Sequence, residues 1–172
     1  MRSPRPSDIV LGAASGVIGM LAMDVLMWRR ARRDGSDDRF VEWEFSTGTA
    51  FDSYESAGAP AQVGLRLARL GGVELPVERA GLVTDVVHWA TGVGWGVASG
   101  ALVATTPVPA LPAGVVGGVT AVVVAYGALG AAGIYDPVWE YDAATLWQDV
   151  SAHLVFGATT GIALWAVRSL RP

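Results

Sequence analysis

Four stretches of roughly 20 mostly apolar residues, at about 9–28, 82–105, 115–134 and 150–167, constrain this chain more than any other feature. Each is long enough to cross a hydrocarbon core of ~30 Å as a helix. In lipid every backbone N–H and C=O must be satisfied within the protein, so such segments fold as helices that pack on one another. The chain is 52% hydrophobic and 16% charged, with a mean hydropathy of +0.41, too apolar for an ordinary soluble domain of its length. The expected fold is all-α: one polytopic membrane domain over residues 1–172, built as a four-transmembrane-helix bundle.

The 22 glycines support packing in lipid, where small residues let helix backbones approach closely. They fall at fourfold spacing. His88, Gly92, Gly96 and Gly100 form one stripe; Asp149, His153, Gly157 and Gly161 form a second; Gly12, Gly16, Met20 and Asp24 form a third, run in reverse. Three apolar helices therefore each bring an ionisable residue to a small-residue seam. The shared His-(x)3-Gly-(x)3-Gly pattern of spans two and four further suggests a repeat, spans one and two being related to three and four by an axis along the membrane normal.

The long connection at 29–81 and the acidic aromatic loop Tyr135–Asp142 lie on the same membrane face, since one follows span one and the other span three. Counting from the helix ends puts Asp24, His88 and His153 each roughly 6–8 Å below that face. An ionisable group facing lipid costs about 2.5–3.5 kcal/mol, so all three should point inward and converge. Asp85 and Asp149, one turn before the two histidines, would orient the imidazoles, and Tyr135 and Glu140 would support the cluster from the short loop.

Within the long connection, Arg39–Phe45 places Trp43 and Phe45 as interfacial anchors. Residues 60–70, with Val63, Leu67 and Leu70 on one face and Arg66 and Arg69 on another, read as an amphipathic helix on the membrane surface or over the bundle mouth. Eight arginines (29, 30, 32, 33, 39, 66, 69 and 79) fall on this face against four (2, 5, 168 and 171) on the other. That bias puts the long loop in the cytoplasm and both termini outside.

Three classes of function fit these residues. Asp24, His88 and His153 suit a site for protons, a metal ion or a small polar solute. His88 and His153 would alternatively serve as axial ligands of one haem. A packing or accessory protein would need neither, its polar residues being hydrogen-bonded near helix ends. No cofactor is singled out and no catalytic residue is assigned: Ser99, Ser151 and Thr159 lie in no nucleophile motif, and the absence of cysteine removes thiolate chemistry. The partners expected are the lipid bilayer and a second copy or another membrane protein. Nucleic acid is not expected, because no basic run is flanked by stacking aromatics.

Taken together, the Gly-rich first span ending in Asp24, Ala59-Pro-Ala-Gln-Val-Gly64, His88-Trp-(x)2-Gly-Val-Gly-Trp-Gly96 and Trp139-Glu-Tyr-Asp-(x)6-Asp149-(x)3-His153-Leu-Val-Phe-Gly157 resemble the YagU-like bacterial inner-membrane proteins. The resemblance implies a small multi-span protein of the bacterial plasma membrane. It also implies that His88, Asp149 and His153 occupy positions of the family's recurring polar residues. It brings no established biochemical activity.

Overall fold

The computed structural model describes residues 3–45 and 50–170, and among them every regular element is helical. Four long helices dominate: α1 (Pro6–Arg33), α4 (Ala80–Thr105), α5 (Ala110–Ala131) and α6 (Ala143–Ser169). Between α1 and α4 lie the five-residue α2 (Phe40–Glu44) and the amphipathic α3 (Ala59–Leu70). All four long helices are long and apolar enough to cross a membrane. Even the shortest, α5 with 22 residues, reaches about 33 Å. The bounds differ from the apolar stretches: α5 begins at Ala110 and stops at Ala131, short of 134, while α1 continues to Arg33, so Arg30, Arg32 and Arg33 form its last turn, where the helix dipole favours cations.

Local sequence sets the ends. Pro6 opens α1, and the Asp8 carboxylate accepts from the Arg5 N–H at 3.1 Å. Thr106 to Pro109 turns α4 into α5, and the Asp142 side chain caps α6 by accepting from the Thr145 N–H at 2.8 Å.

The bundle is two antiparallel pairs. In the first, an added Cβ on Gly12 would lie 2.7 Å from the Gly96 carbonyl oxygen, one on Gly16 2.7 Å from that of Gly92, and one on Gly100 2.8 Å from Gly12 Cα. In the second, Gly114 meets Gly157 and Gly161, Gly118 meets Gly157 and the His153 carbonyl, and Gly161 meets Ala110 and Leu111. Only glycine allows backbones this close. Further contact between α1 and α6, centred on Gly19 against Phe156 and Thr160, joins the pairs.

The two seams repeat, in a register one turn away from the sequence expectation. Gly16 meets Gly92 as Gly118 meets His153, and Gly96 sits between Gly12 and Gly16 as Gly157 sits between Gly114 and Gly118. His153 is therefore the counterpart of Gly92, and the counterpart of His88 is Asp149. Continuing in step along α1 and α5 makes Tyr126 the counterpart of Asp24.

On the long-loop face, α3 lies against the first turns of α4, with Gly64 over Val83 and Val87. Ala61 and Ala80 are fully buried beneath Tyr54 and Ala57. The Arg66 guanidinium donates to the Ala132 carbonyl at the end of α5, leaving Leu67 and Leu70 exposed on the side away from the bundle. Arg30 ties α1 to α6 by donating to Gln148 O at 3.0 Å and Ser151 Oγ at 2.8 Å.

Candidate functional site

Asp24 is held on α1 one turn beyond Met20, which fills the space above Gly92 of α4. The same seam brings His88 of α4 to it, and His88 Nε2 lies 3.0 Å from Asp24 Oδ1. Asp24 is 1% exposed, and its second oxygen, Oδ2, is buried with no hydrogen-bond partner among the described residues. An ionised carboxylate with half its acceptor capacity unmet is a costly thing to bury.

Glu44 completes the group. It is the last residue of α2, a short helix whose start is fixed by the Arg39 N–H donating to the Glu42 carboxylate at 3.2 Å. The Trp28 ring anchors this segment, its Nε1 donating to Asp38 O at 3.0 Å and its face meeting Phe40 edge-on. Trp89, next to His88 on α4, donates from Nε1 to Glu44 Oε1 at 2.9 Å. One donor atom each from Asp24, Glu44 and His88 then lie within 4.8 Å of one another. Burial pushes the Glu44 carboxyl up to about 7; Asp24, by its charge and as an acceptor for the Glu44 proton, adds to the rise, and His88 and the Trp89 N–H oppose it. Below the cluster, Met20, Met23, Ala152 and Phe156, flanked by Trp89 and Trp95, make an apolar floor.

Of the residues expected to converge, Asp24 and His88 meet, and His153 does not join them. His153 Nδ1 instead donates to the backbone carbonyl of Asp149 at 2.8 Å, one turn back on its own helix. The Asp149 carboxylate accepts from the Tyr126 hydroxyl at 2.6 Å, so it bonds to α5 and leaves His153 to its main chain. Asp85 makes no hydrogen bond to His88; Asp24 from the facing helix takes the place expected for it. Tyr135 packs with Tyr126 and Tyr141, ring centroids 5.3–6.3 Å apart, and burial raises its hydroxyl above the ordinary tyrosine value. Glu140 is exposed on the 3-10 turn Val138–Glu140. Two polar groups thus stand where one was expected, Asp24–His88–Glu44 on the first helix pair and Tyr126–Asp149 on the second.

Glu44 and Trp89 are the residues that sequence reasoning passed over. Glu44 sits between aromatic anchors in a segment too short for periodicity, and Trp89 reads as one more membrane tryptophan. The sequence signal for Glu44 is limited to an acid set between two aromatic residues, Trp43 and Phe45.

No protein-family model, curated protein or solved structure matches the chain.

Proposed function

We propose that the protein is a multi-pass protein of the bacterial plasma membrane that takes up a cation at the Asp24–His88–Glu44 cluster, entered from the long-loop face. The carrying observation is the unpartnered, fully buried Oδ2 of Asp24 beside a second carboxylate. Two carboxylates facing one imidazole leave the site short of positive charge, and a buried deficit of this kind is relieved by binding a cation or a proton. The resemblance to YagU-like proteins agrees with the membrane setting, and the arginine bias puts the long loop, and so the site's mouth, in the cytoplasm.

The test is thermal unfolding of detergent-purified protein with zinc, manganese, magnesium or sodium chloride. At least one cation should raise the midpoint of the wild type, and Asp24→Asn should abolish the rise while unfolding no earlier than wild type in chelator, because it removes the buried charge. If no cation shifts the wild type and Asp24→Asn is clearly destabilised, the Asp24–His88 pair is a structural tie and the accessory reading replaces this one.

A further inference from the structure

We infer that the cation is a first-row divalent transition metal, with Asp24, His88 and Glu44 as its ligands and Trp89 as the residue that positions Glu44; this rests on the cation-site reading above. The donor set is the first reason. One imidazole nitrogen and two carboxylate oxygens suit zinc, manganese, iron(II) or cobalt, whereas magnesium and calcium prefer oxygen alone and copper(I) seeks sulfur. The chain has no cysteine to offer.

Geometry is the second. Metal–ligand bonds of about 2.0–2.2 Å put neighbouring donors roughly 3 Å apart and opposite donors roughly 4 Å apart. His88 Nε2 and Asp24 Oδ1 are 3.0 Å apart, the spacing of neighbouring donors, and the proton they share in the metal-free site is released to solvent as the ion binds. The whole group, within 4.8 Å, needs a contraction of roughly 1–1.5 Å to reach tetrahedral spacing. Asp24 and His88 are fixed by the glycine seam between α1 and α4, so Glu44, on a five-residue helix outside the bundle, is the donor that moves.

The surroundings are the third. Trp89 Nε1 donates to Oε1 of Glu44 and so orients the carboxylate, as hydrogen-bonded partners behind metal ligands do. The apolar floor of Met20, Met23 and Phe156 keeps water out from below. The more accessible side of the group is the imidazole: the His88 side chain is 29% exposed against 2% for Asp24.

Full-length protein in detergent is titrated with zinc by calorimetry and with cobalt by visible absorption. Expected are one ion per chain and cobalt d–d bands of a nitrogen–oxygen site. His88→Gln and Asp24→Asn should each lose at least about 100-fold in affinity. Glu44→Gln and Trp89→Phe should lose about 10–100-fold with a changed cobalt spectrum, while Trp165→Phe, exposed near the far end of α6, binds as wild type. The changed spectrum separates loss of positioning from mere destabilisation. Zinc and cobalt failing to bind while sodium, magnesium or another cation stabilises the wild type would overturn the metal and leave the cation site standing. Binding that persists in both Asp24→Asn and His88→Gln overturns the ligand assignment. Wild-type cobalt spectra in Glu44→Gln and Trp89→Phe would remove α2 from the site.

Discussion

A methyl group at Gly96 tests the seam and the site together. An added Cβ there would lie 2.5 Å from Gly16 Cα and 2.7 Å from Gly16 N, where unbonded carbons ordinarily rest about 3.5–4.0 Å apart. Both atoms are backbone and have no rotamer into which to retreat, so α1 and α4 must part by roughly 1 Å. A gap of that size forfeits about a quarter to a half of each dispersion contact along the seam, and overpacking costs about 1–3 kcal/mol. Alanine's helix propensity returns about 0.8–1.0 kcal/mol, leaving Gly96→Ala about 0–2 kcal/mol less stable. Gly94, two residues away and exposed with nothing within 4 Å of an added Cβ, receives only the propensity gain. The two variants should therefore differ by the overpacking cost, about 1–3 kcal/mol, or roughly 2–12 °C in unfolding midpoint for a chain of this size, read by tryptophan fluorescence. Parting the helices also stretches the 3.0 Å Asp24–His88 contact, so Gly96→Ala should bind cobalt about tenfold more weakly with every ligand intact. A Gly96→Ala protein as stable as Gly94→Ala would refute the seam.

Zinc affinity should fall as pH is lowered through about 7, because protonated Glu44 competes with the ion, and calorimetry on Glu44→Gln should show a shallower pH dependence than wild type. Tyr126→Phe removes the donor to Asp149 and should destabilise by about 1–2 kcal/mol without altering cobalt binding; loss of binding would mean that the two polar groups act as one. Asp37, fully exposed after α1, replaced by cysteine should resist a membrane-impermeant maleimide added to intact cells, and strong labelling would reverse the orientation drawn from the arginines.

Sequence alone reached the four helices because their apolar lengths leave lipid no other solution, and it reached the Asp24–His88 contact because both lie on glycine stripes at matching depth. The misplacement of His153 has an equally physical origin. A stripe of small residues spaced by four looks the same after sliding one turn, so matching His-(x)3-Gly with His-(x)3-Gly is only one of two registers the glycines allow. Backbone contact decides between them: the His153 carbonyl faces Gly118 as the Gly92 carbonyl faces Gly16. Glu44 escaped for a different reason, since a five-residue helix carries no periodicity and its position is set by Trp28 and Trp89 rather than by its own sequence.

The corrected register also explains why only one helix pair carries the cluster. In the second pair the Tyr126 hydroxyl stands in Asp24's place and Asp149 in His88's, so a neutral donor meets a single carboxylate and the pair is hydrogen-bonded without outside help. In the first pair a carboxylate meets an imidazole and keeps one oxygen unpartnered. The connections differ to match. The path from α5 to α6 is short, and of its acids Asp136 and Glu140 are exposed while Asp142 caps α6. The path from α1 to α4 is long enough to hold α2 and α3, and it returns Glu44 over the mouth of the first pair. Two nearly equivalent scaffolds thus diverge through four side chains and one loop. The loop supplies the donor that the helices, locked together by glycine, cannot move to provide.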